Sequence, residues 1–446
     1  MLNVYMNYLR NYLFIVICCV LTLCQVAVAS PGVPSGIIAM GGRTKVALVV
    51  EKASQRLFVY SYDGQYHEEM VLNCSTGKLT GRKNLSGDQK TPEGVYFFTG
   101  KYFEKDLSPV YGALAFPVDY PNQMDKEAGR TGYAIWLHGT DRELKPRDSN
   151  GCVALENTNL KNVEKRIELD FTPIIFVDKI EYRNTETQPE IKKQVHSLLK
   201  NWANSLQAGT YHQYLSWYSA NYAPDIGWWN TWQKMRKKTV KDFSVVLKSV
   251  SIYQDGGLYV VLFEESLRYD GEEKKVGIKK MYLSNENGGL KIRGEKYKYI
   301  HYAENKKDLS LKKDPVISAM GSILERVEAQ KTATLKKHIK ARIVKWASLW
   351  SAGNINAYAG FYSNGFLSSG MNKQAWVDRK QYLNKSYNYI DVDISDLSVN
   401  PEVGKVVVNF RQDYKSSGYS AIGYKTLVMV NEDQEWKIIQ EIWKKS

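Results

Sequence analysis

Hydrophobic and polar positions divide the chain into three regimes. Between residues 1 and 42 the one charged side chain is Arg10, and an apolar run from Tyr12 to Val28 follows it. The run closes on Ala27-Val28-Ala29, whose small first and third residues fit signal-peptidase cleavage before Ser30. Residues 1–29 are therefore predicted to be a signal peptide. The run is also long enough for an uncleaved anchor in the inner membrane. Leu23 directly before Cys24 argues against a lipoprotein site. In either case the remainder is expected to be exported, in the periplasm or cell envelope.

From residue 43 to about 180 the pattern becomes strand-like. Short β-prone runs at 45–51 and 56–60 flank a polar turn, as in a hairpin. Further runs lie at 70–74, 95–99, 134–137 and 174–177, punctuated by Thr91-Pro92-Glu93-Gly94 and Phe116-Pro117. This predicts a mostly β domain over 43–180.

The second half repeats itself. Trp202-Ala203, Ala208-Gly209, Tyr214, Tyr218-Ser219 and Trp232 recur at a constant offset as Trp346-Ala347, Ala352-Gly353, Tyr358, Tyr362-Ser363 and Trp376. In each copy a helical opening gives way to strand-like runs, at 243–253, 258–269 and 279–283 and again at 392–399, 405–414 and 425–430. Two copies of one α+β domain are predicted, over 190–302 and 336–446, with a Lys-, Glu- and Ala-rich linker at 303–335. Helix-then-curved-sheet copies of this size resemble the nuclear transport factor 2-like (NTF2-like) superfamily. The resemblance implies a cone-shaped fold with an open pocket. Their repeated Trp and Tyr residues are expected to fill cores rather than to form a sugar platform.

Composition narrows the functional classes. With 43% hydrophobic and 24% charged residues, the 446-residue chain reads as globular and multi-domain. A net charge of +14 outside the cytoplasm points to anionic envelope polymers or a membrane surface rather than nucleic acid. Cys18, Cys19 and Cys24 fall in the export segment, leaving Cys74 and Cys152, too few for a disulfide scaffold. A single Cys74–Cys152 bridge is conceivable in an oxidising compartment and would silence a reactive thiol. The histidines show no metal-ligand spacing, so neither a metal nor a cofactor is expected.

The candidate chemistry lies in one stretch. An apolar strand ends in His138-Gly139-Thr140, and a polar loop then leads to Arg147-Asp148-Ser149-Asn150-Gly151-Cys152-Val153. A thiol becomes a strong nucleophile on losing its proton, and a histidine within hydrogen-bond reach can take it. Gly151 allows a turn tight enough to present the sulfur and to aim N–H groups at a developing oxyanion.

His-Gly-Thr followed by Ser-x-Gly-Cys-Val is similar to the signature of the L,D-transpeptidase (YkuD) catalytic domain. Ser75-Thr76-Gly77 and Gly87-Asp88-x-Lys90-Thr91-Pro92-Glu93-Gly94 agree with it in the family's order. The overall expectation is a mostly β YkuD-like domain followed by two cone-shaped α+β repeats. The resemblance implies Cys152 as nucleophile and His138 as general base. The Gly139 carbonyl is implied as orienter of the imidazole, and the Gly151 and Cys152 N–H groups as oxyanion donors. Substrate contacts are expected from Ser149, Asn150 and Thr140. The implied reaction transfers the acyl group of the diaminopimelate residue of a peptidoglycan stem peptide, releasing D-Ala. Two departures from the family stand out: Asn150 replaces a common His, and Ala154 replaces a common Arg. Arg130, Arg142, Lys145 and Arg147 are candidates to supply the missing cation. The architecture also resembles a subgroup tied to L,D-carboxypeptidase trimming and helical cell shape. Water is therefore kept beside an amine as acyl acceptor, as is hydrolysis of a protein–peptidoglycan link. The rival from another class is a non-catalytic wall-binding scaffold, its repeats contacting other envelope proteins.

Overall fold

The computed structural model describes residues 32–183, 189–237, 239, 243–298 and 314–446. The predicted signal peptide and residues 303–313 of the predicted linker lie outside the described residues. The chain divides into two compact units, one ending at Met320 and the other running from Gly321 to Ser446.

In the first unit, the run Val46–Glu51 forms the middle of a five-stranded sheet. The order is Tyr66–Asn73, Arg56–Tyr62, Val46–Glu51, Pro173–Val177, Gly94–Phe97. Successive side chains on a strand point to opposite faces, so a strand covered on both sides is apolar throughout. Leu48, Val50, Val59 and Ile174 face one core, together with Leu137, Val153 and Leu155. Ala47, Val49, Phe58 and Ile175 face a second core.

That second core is completed by the first repeat. Tyr253, Val260, Leu262, Ile278 and Tyr282 belong to it. They come from the first three of four long antiparallel strands, Ser244–Asp255, Leu258–Tyr269, Glu272–Glu286 and Gly289–Lys298. A fifth strand, Ile37–Ala39, joins the edge of this sheet by pairing with Ser244–Asp255. Ion pairs stitch the same junction, including Arg82–Asp255 at 2.9 Å and Lys280–Asp119. The sequence suggested a boundary between 180 and 190, but the hydrophobic core does not divide there. The alternating pattern of the β-rich run marks two faces without saying what covers the outer one.

Each copy runs three helices and then four long antiparallel strands, the second with an added hairpin of Leu367–Ser368 and Met371–Asn372, and both hold a buried polar network. In the first, Trp202 Nε1 donates to Tyr218 Oη at 3.0 Å, which lies 2.8 Å from Tyr214 Oη and 3.0 Å from Glu295. In the second, Trp346 Nε1 donates to Tyr362 Oη at 3.0 Å, which lies 2.6 Å from Tyr358 Oη and also bonds Glu441. Lys279–Glu295 at 3.1 Å and Lys425–Glu441 at 2.7 Å are matching ion pairs. Trp202, Trp232 and Trp346 are buried, as expected of core fillers. Burying these hydroxyls and charges is tolerable because each finds a partner.

The second unit builds its sheet from Ile390–Glu402, Lys405–Ser416, Ser420–Glu432 and Glu435–Lys445 in simple antiparallel order. Its leading helix is longer than the sequence suggested. Pro315–Ser351 is one continuous helix of 37 residues, so the boundary placed at 335/336 falls inside it. Ala, Glu, Lys and Leu there are strong helix formers, and the composition read as a linker suits a helix equally well.

Candidate active site

The strand Trp136–His138 delivers His138 to its end. It pairs in parallel with Val153–Ala154, in the register Val153 with Leu137 and Ala154 with His138. On its other side it pairs antiparallel with Leu114–Pro117. Cys152 therefore enters its strand beside Trp136, two residues before the position opposite His138. His138 is 6% exposed. Its Nδ1 lies 2.6 Å from the Gly139 carbonyl, so Nδ1 carries the proton and donates, which leaves Nε2 as the basic nitrogen. The edge of the ring packs on Tyr111 at 5.1 Å between centroids. Tyr111 and Tyr102 in turn flank Trp136, at 4.9 and 5.4 Å. This aromatic wall was not anticipated, because Tyr102 and Tyr111 reach the site from a separate segment.

Gly139 is a necessity of packing. A Cβ there would run into Asn157 Oδ1. That oxygen accepts from Ala113 N at 3.0 Å, and Asn157 Nδ2 donates to Asp141 at 2.7 Å.

The Cys152 turn is held by the upstream motifs. Gly151 has φ +129, where a side chain is strained, and a Cβ would come 2.9 Å from the Lys90 carbonyl. Thr91 Oγ1 donates to Gly151 O at 3.0 Å and accepts from Gly77 N at 2.9 Å. Asp148 N donates to Ser75 Oγ at 2.9 Å. Ser149 Oγ donates to Cys152 O at 2.7 Å and accepts from Gly151 N at 3.1 Å. This alters two expectations. Ser149 braces the turn, and the Gly151 N–H is taken up by it, so the Cys152 N–H is the remaining oxyanion candidate of the pair. Asn150 is exposed at the tip, and Thr140 caps its own loop by accepting from Arg142 N at 3.1 Å.

The basic candidates are dispersed. Arg130 pairs with Asp125 at 3.0 Å, and Arg147 Nη2 donates to the Lys52 carbonyl at 3.1 Å. Lys145 lies 3.4 Å from Glu143, and Arg142 is exposed on the loop. Lys83, which the sequence did not single out, is buried with its stem against Gly132.

Electrostatics set the resting protonation. Burial pushes the Cys152 thiol up to about 11, against the opposing pull of the Trp136 N–H and the Lys83 charge. Burial also lowers His138 below its usual range, opposed by its bond to Gly139. Both groups are thus neutral at pH 7, and the thiol donates to the Ala134 carbonyl at 3.4 Å. The resting site holds a neutral thiol and a neutral imidazole rather than a preformed ion pair. Cys74 is buried and, like Cys152, is a free thiol.

Comparison with known proteins agrees with this geometry. Residues 45–176 match the L,D-transpeptidase catalytic domain (YkuD), and residues 338–442 match the Cds6 C-terminal NTF2-like domain. The chain thus carries an L,D-transpeptidase catalytic domain, of an enzyme family that acts on peptidoglycan, together with a C-terminal NTF2-like domain. No curated protein matches the sequence. Among solved structures it is similar to Bd1075 of Bdellovibrio bacteriovorus, at 19% identity over 93% of this chain and 99% of that one, with a TM-score of 0.31. It is also similar to the helical cell shape determining protein Pgp2 of Campylobacter jejuni. There the identity is 25% over 58% of this chain and 94% of that one, with a TM-score of 0.46.

Proposed function

We propose that the protein is an exported cysteine acyl-transfer enzyme cleaving the diaminopimelate–D-Ala bond of peptidoglycan tetrapeptide stems. The observation that carries this reading is the fixed His138 tautomer. Nδ1 is tied to Gly139 O at 2.6 Å, and Nε2 is left basic on the strand that pairs with the Cys152 turn. In the proposed reaction the Sγ proton passes to Nε2 as sulfur attacks the diaminopimelate carbonyl. The C–N bond to D-Ala breaks, and His138 returns the proton to the leaving amine. A thioester on Cys152 remains until an acceptor attacks it, with the Cys152 N–H facing the oxyanion in both tetrahedral species.

Two acceptors are compatible with the chemistry. An amine of a second stem gives a cross-link, and water gives a tripeptide. The water reading is supported by Ala154 standing where the family commonly has Arg, with Arg130 and Arg147 committed to other partners. Export rests on the Ala27-Val28-Ala29 site, and envelope fractionation of cells expressing the full chain tests it. For the reaction, purified disaccharide-tetrapeptide is incubated with wild type and with Cys152→Ala and read by mass spectrometry. Dimers or D-amino-acid exchange from wild type alone identify a transpeptidase. Tripeptide and free D-Ala without dimers identify a carboxypeptidase. Equal turnover by Cys152→Ala refutes the nucleophile.

A further inference from the structure

The loop spanning 78–93 wraps the Cys152 turn. Thr91 holds the Gly151 carbonyl, and the Lys90 carbonyl sits against Gly151 itself. The same loop carries Lys83, which is 3% exposed. Its ammonium donates to Asp88 at 2.6 Å and to the Leu85 carbonyl at 3.0 Å. Asp88 is fixed in turn by the N–H groups of Asn84 at 2.8 Å, Leu85 at 3.0 Å and Lys90 at 3.1 Å. The Lys83 stem lies against Gly132, where a Cβ would come 2.9 Å from Cε and 3.6 Å from Nζ. Two residues further on, the Ala134 carbonyl accepts from the Cys152 thiol. Arg82, next along the loop, pairs with Glu93 and with Asp255 of the first repeat, tying the loop to the scaffold.

We propose that Lys83, clamped by Asp88, is the positioning cation for Cys152. Its fixed charge stabilises the thiolate formed when the Sγ proton passes to His138 Nε2. A buried ammonium held by a carboxylate and a carbonyl has no freedom to bind substrate directly, so it acts on the thiol through its field. Lys83 and Asp88 belong to the loop, and His138 to the strand that pairs with the Cys152 turn. Tyr120 also lies against Gly132. Asp88 offsets part of that field, and its three backbone N–H bonds hold the pair in place.

The inference rests on Cys152 being the nucleophile. The test is the pH dependence of Cys152 alkylation by iodoacetamide in the full-length protein, read on the Cys152 peptide by mass spectrometry. Lys83→Met should slow alkylation at pH 8 about tenfold and move its midpoint to higher pH, and Lys83→Arg should restore most of the rate. Asp88→Asn leaves the ammonium less compensated and should move the midpoint the opposite way. A merely structural role predicts shifts of the same sign from both, and that result, or no shift from either, overturns the proposal. If Lys83→Met does not fold, Asp88→Asn decides alone, with an unchanged or higher midpoint counting against it. Should Cys152→Ala keep full turnover, the acyl-transfer reading itself fails, whatever the alkylation profile shows.

Discussion

Gly139→Ala is the most informative perturbation of the site, because its effect runs through a single neighbour. The new methyl group overlaps Asn157 Oδ1, which is held by Ala113 N at 3.0 Å while its amide holds Asp141 at 2.7 Å. Either Asn157 leaves these partners, at about 1 kcal/mol each, or the Gly139 backbone moves and loosens the 2.6 Å bond to His138. Overpacking of this kind costs about 1–3 kcal/mol. For a unit of this size that lowers Tm by about 2–12 °C. A displaced imidazole should reduce kcat/KM by about a hundredfold. The assay pairs thermal melting with tetrapeptide turnover for Gly139→Ala, Asn157→Ala and the double variant. Removing the Asn157 side chain makes room for the methyl group. The double variant should therefore melt higher than the sum of the single effects predicts, and recover part of its activity. Strict additivity, or a Gly139→Ala protein with unchanged melting and turnover, would refute the reasoning.

Three further outcomes are expected. Lys425→Met strands the buried Glu441 carboxylate, which Lys425 holds at 2.7 Å, and should destabilise the second unit by about 3–5 kcal/mol in chemical denaturation. Partial recovery by Lys425→Met/Glu441→Gln would confirm the pairing, and a neutral single variant would contradict it. His138 must be neutral to act, so the acid limb of activity should lie below the ordinary histidine value of about 6.5. A kcat/KM profile with an acid limb above 6.5 would oppose this. Lys380, packed over Trp350 and Trp376, is lowered to about 7 by burial. Its folded value lies below the unfolded one, so it penalises folding fully below pH 7 and not at all above about 10.5. Lys380→Met should therefore raise the melting point of the second unit most at pH 6 and little at pH 10, and a pH-independent gain would count against it.

Much of the site was legible because it is local in sequence. His138 followed by Gly139, and Gly151 before Cys152, are adjacent pairs whose geometry depends on their own backbone and on one strand pairing. The duplication was equally plain, since Trp202, Tyr214 and Tyr218 and their counterparts make the same buried hydrogen bonds in both copies. Residue pattern alone marked the strand-rich region over 43–180 and the helix-then-sheet order of the second half, and singled out Cys152 and His138 as the candidate pair. Only the tertiary structure decided which partners fill the remaining roles. Alternation along Val46–Glu51 shows two apolar faces, but long-range packing assigns one of them to the first repeat. Arg130 and Arg147 carry the right charge close by, yet their carboxylate and carbonyl partners hold them elsewhere. Lys83 is far from Cys152 in the chain, yet its stem packs against Gly132, two residues from the Ala134 carbonyl that takes the Cys152 thiol. Charge acts through distance and dielectric rather than through sequence order, so no spacing rule could reveal it.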